Sequence, residues 1–276
     1  MRYCRGEARR VFMKKLTVHD ILLLKGKRQL TEIFTDKPEE AAAAEAAGID
    51  MIVTISSLAK DIRRAAPHVF LMSAPIPFSK FYPSNEAAIR TGQEAMDDGA
   101  DAIYCGCHNM ERIAAMASVH IPVVGHVGYI PYLSHWIGGP RAFGKTAPEA
   151  VKIYRRVKEY EAAGAIGVEM ELVPHRVAAE ISKRTKICVI SMGSGTGCDA
   201  QYLFATDILG TNKGHVPRHA KQYANLRPEY DRLQKLMTDA FKEFKDEVAS
   251  GAYPEPRHNL EVKEDEFSRF MTGLEE

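Results

Sequence analysis

Three segments of this chain repeat one design. An alanine-rich stretch with helical spacing is followed by a glycine where the helix should end, and then directly by an apolar run. The segments are Ala47-Gly48-Ile49-Asp50-Met51-Ile52-Val53, Gly99-Ala100-Asp101-Ala102-Ile103-Tyr104 and Ala163-Gly164-Ala165-Ile166-Gly167-Val168. Glycine just past the last helical turn adopts the left-handed conformation that closes a helix, and an unbroken apolar run marks a parallel strand buried on both faces. Helix and strand alternating along the whole chain leave two α/β architectures, an open doubly wound sheet or a closed (β/α)8 TIM barrel. No glycine-rich dinucleotide fingerprint opens the first unit, which favours the barrel.

Eight strands can be placed: Gln29 to Thr35, Asp50 to Ile55, His68 to Ala74, Asp101 to Cys105, Ile121 to His126, a run through Val168 to Leu172, Ile187 to Ser191, and a weaker one within Gln201 to Asp207. A short helix capped by Thr17 or Asp20 precedes them. A charged amphipathic helix from Pro228 to Ser250 and a proline-broken tail from Tyr253 to Leu260 follow. Residues 1–12 read as a flexible N-terminal extension, and residues 13–276 as a single barrel domain with a C-terminal helical extension. The 276 residues suffice for one substantial core. With 37 Lys and Arg against 36 Asp and Glu, no net field favours nucleic acid or an anionic membrane. Five cysteines without framework spacing, and no apolar run long enough for a bilayer, place the chain in reducing cytoplasm.

The sixth strand carries the chemistry. In Val168-Glu169-Met170-Glu171-Leu172-Val173-Pro174 a period of two puts Val168, Met170 and Leu172 on one face and Glu169 and Glu171 on the other. An acidic strand face needs solvent, a partner or a function, because an unpaired buried carboxylate is costly. In a barrel, chemistry gathers where strands end, and the polar residues there are Ser56, Ser57, Tyr104, His126 and Glu171, with the glycine-rich run Gly193 to Gly197. Glu171 fits a general base for a proton next to a carbonyl, and a salt bridge to a neighbouring loop is the structural alternative. His126, with glycines on both sides leaving room for a ligand, fits a carbonyl or carboxylate contact, against the alternative of a hydrogen-bonded core histidine. The glycine-rich run offers backbone N–H groups to an anion. Cys105, Cys107 and His108 are soft-metal ligand types but lack a second pair at zinc spacing, and buried thiols are the simpler reading.

Lys25-Gly26-Lys27-Arg28, Gly125-His126-Val127-Gly128, Gly144-Lys145-Thr146, Glu171-Leu172-Val173-Pro174, Gly193-Ser194-Gly195-Thr196-Gly197-Cys198-Asp199 and Asp207-Ile208-Leu209-Gly210, in this order, resemble the ketopantoate hydroxymethyltransferase family. The resemblance implies a barrel of the phosphoenolpyruvate mutase type and a homo-oligomer, usually a decamer. It implies transfer of a one-carbon unit from 5,10-methylenetetrahydrofolate to the small 2-oxo acid 3-methyl-2-oxobutanoate in pantothenate synthesis. It also implies that Glu171 is the proton acceptor that makes the enolate, and that His126 and Ser57 meet the substrate.

Departures from the family pattern cluster in one place. The two aspartates that hold magnesium in the family correspond to Ser56 and Pro75, and a lysine and an outer glutamate correspond to Tyr104 and Gly106. Magnesium wants carboxylate or water oxygens, so the family's metal site is expected to be absent. Ser56, Tyr104 and His126 are then left as substrate contacts, and Glu169, which stands where the family carries an apolar residue, as a relocated ligand. Three readings follow: the family's transferase; a metal-independent carbon–carbon or carbon–heteroatom lyase on the same barrel; and a non-catalytic relative that binds a small acid.

Overall fold

The computed structural model describes residues 15–75, 83–104 and 109–275. Eight parallel strands close on themselves in chain order, with β1 hydrogen-bonded to both β2 and β8. They are β1 (Leu30–Phe34), β2 (Met51–Ile55), β3 (Phe70–Ala74), β4 (Ala102–Tyr104), β5 (Val123–Gly128), β6 (Gly167–Glu171), β7 (Cys188–Met192) and β8 (Ala200–Phe204). Helices α2 (Pro38–Ala47), α3 (Ala59–Ala65), α4 (Asn85–Asp97), α5 (Met110–Ser118), α6 (Ala147–Ala162), α7 (His175–Lys183) and the short α8 (Ala205–Ile208) follow strands one to eight, with no helix between β7 and β8. The barrel expected from the sequence is the one observed. The expectations for residues 1–12 and for Cys105, Gly106, Cys107 and His108 lie outside the described residues.

Alternation along each strand sorts the core into two shells. Leu30, Met51, Val53, Phe70, Met72, Tyr104, Ile190 and Tyr202 pack inside the barrel. Val123, Val127, Val168, Met170 and Val189 pack outward with Ile113, Val157 and Ile181 of the helices. A helix α1 (Val18–Leu24) covers the end where the strands begin. Its capping box joins the Asp20 amide to Thr17 Oγ1 at 3.2 Å and the Thr17 amide to Asp20 Oδ2 at 2.9 Å, which satisfies two backbone donors that a helix start leaves open. Its Ile21 is buried with Leu30, Cys188 and Ala200, the first residues of β1, β7 and β8. Ion pairs ring that end: Lys25 Nζ lies 2.5 Å from Asp199, and Arg28 grips Asp50 at 2.8 and 3.0 Å. With the amino end covered in this way, chemistry falls to the opposite end.

The fifth strand begins two residues later than its apolar run and ends two residues later, at Gly128. Both of its glycines are steric necessities. A Cβ on Gly125 would lie 2.4 Å from the Tyr160 ring, and one on Gly128, at φ +89°, would lie 2.1 Å from the Glu171 carbonyl oxygen. The space that a side chain would take at these two glycines is filled by Tyr160 and the β6 backbone, while a cavity of about 570 Å³ opens beside His126 and Gly128.

Contacts divide the chain into two compact units, Met1–Ala224 and Asn225–Glu276. In the second, α9 (Arg227–Ser250) begins with Pro228 in its first turn and ends at Gly251, φ +76°. A further helix, α10 (Glu264–Gly273), follows the proline-broken tail; the sequence reading placed no helix there.

Gly125→Ala is expected to lower the unfolding free energy by about 1–3 kcal/mol, the usual cost of overpacking a filled core. Urea denaturation checks this, and an unchanged midpoint would mean that the Tyr160 ring yields without cost.

Candidate active site

Strand β6 points Gly167, Glu169 and Glu171 into the barrel, because Val168 and Met170 are needed against the helices. Glu171 is the last residue of the strand, and Glu169 lies two residues deeper, about 7 Å along the strand axis. In register beside Glu169 on β5 stands His126. Its ring carries two contacts: Nε2 is 3.1 Å from Glu171 Oε2, and Nδ1 is 3.3 Å from the Tyr104 hydroxyl at the end of β4. Nε2 is also 3.8 Å from Glu169 Oε1. Tyr104, His126, Glu169 and Glu171 are all buried. Three residues that the sequence put at strand ends thus form one hydrogen-bonded row, Tyr104–His126–Glu171.

The end of β6 is held by the loop after β7. Leu172 takes the left-handed conformation at φ +52°, unusual for a residue with a branched side chain, while its amide donates to Met192 O and its carbonyl accepts from the Phe143 amide. The Ser194 hydroxyl donates to Met170 O at 2.8 Å and accepts from the Val173 amide at 2.9 Å. The Ser194 amide is itself committed to Ser191 Oγ. Within the glycine-rich run, this serine fixes the position of Glu171, and its N–H is not turned to an anion.

The hydrogen bonds of the other expected site residues do not join the row. Ser56 sits in a short 3-10 turn, Ser56–Leu58, with its hydroxyl 2.8 Å from Ser73 Oγ, and Ser57 in the same turn is exposed. Pro75 is buried and offers neither a carboxylate nor an N–H. Two hydroxyls and a proline do not make a magnesium site, so the metal position implied by the family does not fit these residues.

Two groups were missed by the sequence reading. Glu32, in the middle of β1, faces the barrel interior opposite Tyr202 and Met51. It is 2% exposed, and both carboxylate oxygens are buried without a hydrogen-bond partner. Burial pushes its carboxyl up to about 8. Burial, then Glu171 and Glu32, raise Glu169 well above the usual carboxylate range, and burial, then Glu169, Glu32 and Glu171, raise the Tyr202 phenol. The signal for Glu32 was present, since Leu30-Thr31-Glu32-Ile33-Phe34 puts the acid on the face of Leu30 and Phe34. The second missed group is the half-buried His219 in the loop after α8. It packs against Gly193, where a Cβ would lie 2.9 Å from its Nδ1, and burial lowers its pKa against the opposing pull of Glu171 and Asp207.

A closed eight-stranded parallel barrel with an acid–imidazole row at the carboxyl ends of β4, β5 and β6 is the design of a barrel enzyme. The sequence profile of the ketopantoate hydroxymethyltransferase family matches residues 43–256, and the chain belongs to this family of transferases. It is 32% identical over 269 residues to a 3-methyl-2-oxobutanoate hydroxymethyltransferase of Kosmotoga olearia, covering 89% of this chain and 98% of that one. An enzyme of the same name from Thermotoga neapolitana is 32% identical over 266 residues, covering 88% and 96%. Among solved structures, a phosphonopyruvate hydrolase complex with oxalate and Mg2+ superposes with a TM-score of 0.51 at 14% identity, over 94% of this chain and 99% of that one. The carboxyl transferase domain of Rhizobium etli pyruvate carboxylase with 3-bromopyruvate superposes with a TM-score of 0.53 at 11% identity, over 75% and 46%. These two likenesses concern the fold alone. Among the described residues no helix is long and apolar enough to cross a membrane.

With a carboxyl that titrates near 8 in the fold and near 4.5 when unfolded, Glu32 keeps its proton longer in the folded chain. The folded state therefore binds more protons between those values, and stability falls as pH rises through that window. In chelator-treated protein, Glu32→Gln should gain on the parent by a few kcal/mol from the bottom to the top of this range. Urea titrations at a series of pH values read the difference, and parallel curves would show that Glu32 is solvated.

Proposed function

We propose that the protein makes the enolate of a small 2-oxo acid, 3-methyl-2-oxobutanoate, for aldol-type transfer of a one-carbon unit, with Glu171 as the base. The observation that carries this reading is the row Tyr104–His126–Glu171, with its carboxylate at the open end of the barrel. Glu171 takes the proton from the carbon next to the carbonyl. The electron pair of that C–H bond becomes the carbon–carbon double bond of the enolate, and the carbonyl oxygen takes the negative charge. Water would cleave the two C–N bonds of 5,10-methylenetetrahydrofolate to give formaldehyde and tetrahydrofolate; the enolate carbon would then attack the formaldehyde carbon, the C=O π pair would move to oxygen, and that oxygen would take the proton from Glu171 to become the hydroxyl of the new hydroxymethyl group.

The row has two proton arrangements. With the Tyr104 hydroxyl donating to Nδ1, Nε2 carries the hydrogen and donates to an ionised Glu171. Once Glu171 takes the substrate proton on Oε1, its Oε2 still accepts from Nε2–H and the ring hydrogen stays where it is. The imidazole thus accommodates both states of the base without becoming charged. Tyr104 selects the tautomer and acts as a positioning residue, in place of the substrate contact expected from the sequence.

Because Ser56 and Pro75 do not fit magnesium, no step is routed through that metal, and enolate stabilisation falls to hydrogen-bond donors of the site. Self-association, the homodecamer implied by the resemblance, is supported by exposed Leu233, Met237, Phe241, Phe244 and Val248, which form one stripe of α9. Cytoplasmic location is part of the same proposal.

Deuterium exchange into 3-methyl-2-oxobutanoate, followed by NMR, isolates enolisation from one-carbon transfer. The parent should exchange in chelator, and Glu171→Gln should exchange at least roughly a thousandfold more slowly, within the range general-base catalysis contributes. Full exchange by Glu171→Gln would remove Glu171 as base. Tyr104→Phe should slow exchange about tenfold, the weight of one buried hydrogen bond, and should shift the pH profile of the rate. An unchanged profile would show that Tyr104 does not select the tautomer.

A further inference from the structure

Below the open end of the barrel the interior holds more acid than the proposed reaction uses. Glu32 from β1 and Glu169 and Glu171 from β6 are all buried, and among the described residues no lysine or arginine is paired with any of them. Carboxylates in a dry interior are neutralised by protons, basic side chains or metal ions. The structure supplies ligand geometry for the last. Ligand atoms of His126, Glu169 and Glu171 lie within 4.8 Å of one another, with Nε2 of His126 3.1 Å from Glu171 Oε2 and 3.8 Å from Glu169 Oε1. Donor atoms about 2.1 Å from one ion sit roughly 3 to 4 Å from each other, so two of the three separations already suit a shared ion. Independently of this cluster, Glu32 carries two buried oxygens with no partner, close enough for its charge to act on Glu169.

We infer that the barrel interior binds one first-row divalent transition ion through His126 Nε2 and the carboxylates of Glu169 and Glu171, with the Glu32 carboxylate balancing its charge. One imidazole with carboxylates is a donor set for manganese, iron or zinc, whereas magnesium prefers all-oxygen ligands. This position is not the one where the resemblance places magnesium, since neither Ser56 nor Pro75 takes part. Occupancy has a consequence for the base. The ion takes Glu171 Oε2 from His126 and lowers the basicity of that carboxylate, so ion binding and proton abstraction compete. The competition rests on the reading of Glu171 as the base; the binding does not.

The test uses the full chain stripped with EDTA and titrated with Mn2+, with free ion read by electron paramagnetic resonance and the bound ion examined for coupling to imidazole nitrogen. The parent should bind one ion with a nitrogen signature. Folded Glu169→Gln and Glu32→Gln, checked by thermal unfolding, should each bind at least roughly tenfold more weakly, and Mg2+ should not displace Mn2+ at equal concentration. No binding, binding without nitrogen coupling, or equal binding by folded Glu169→Gln overturns the site. Mn2+ should also slow deuterium exchange into 3-methyl-2-oxobutanoate as it fills the site, and exchange that requires Mn2+ overturns the competition. If the ion binds as described and no exchange occurs with or without it, the cation site stands and the enolisation reading falls.

Discussion

A closed parallel barrel sends every second side chain into a space that bulk water does not fill, and this chain sends carboxylates there. That constraint orders the rest of the structure. Helix packing claims Val168 and Met170, so the residues between and beyond them face inward, and those are Glu169 and Glu171. The inner apolar shell of Leu30, Met51, Phe70, Met72 and Ile190 supplies the low polarity that makes a buried acid hold its proton. The same low polarity strengthens any hydrogen bond made by an ionised carboxylate. The His126–Glu171 contact and the raised proton affinity of Glu32 and Glu169 are therefore two results of one environment.

The two ends of the barrel divide the work of stability and chemistry. Where the strands begin, charges are paired: Lys25 with Asp199, Arg28 with Asp50, each reinforced by backbone N–H groups, as in the 2.8 Å bond from the Val189 amide to Asp199 and the 2.9 Å bond from the Thr31 amide to Asp50. Where the strands end, backbone strain at Leu172 and the bonds of Ser194 fix the last residue of β6. Several lysine, glycine and aspartate positions that carry the family resemblance prove structural on this reading. Lys25 and Asp199 tie α1, α7 and β8 together, and Gly128 exists because the Glu171 carbonyl occupies the place of its Cβ. A family signature thus marks positions where the backbone has no freedom as much as positions that touch a ligand.

Much of the site was legible because strand periodicity survives in the sequence. The alternation in Val168 to Leu172 placed Glu169 and Glu171 on one face, and the strand ends named Tyr104 and His126. The same rule applied to Leu30 to Phe34 would have placed Glu32 inside, but a single acid in a short strand reads equally well as an exposed one until the barrel closes over it. His219 carried no period at all, because it lies in a loop whose course is set by packing. The partner of Tyr104 was not legible for a related reason: a strand-end tyrosine can face a ligand or a neighbouring strand, and only the register of β4 against β5 decides that it meets the imidazole of His126.

By itself the sequence determined the eight-fold alternation, the strand that carries Glu169 and Glu171 on one face, the absence of carboxylates at positions 56 and 75, and the family to which the chain belongs. These follow from local rules: helix closure by glycine, period-two facing, and the identity of side chains at fixed positions. Only the tertiary structure decided that the glycines beside His126 make room for Tyr160 and the β6 backbone, that Ser194 serves the backbone, and that Glu32 from the first strand joins two acids from the sixth in one interior. Those are relations between segments far apart in the chain. They come into being when the sheet closes, because closure fixes which side chains share a space without water and so which charges must answer one another.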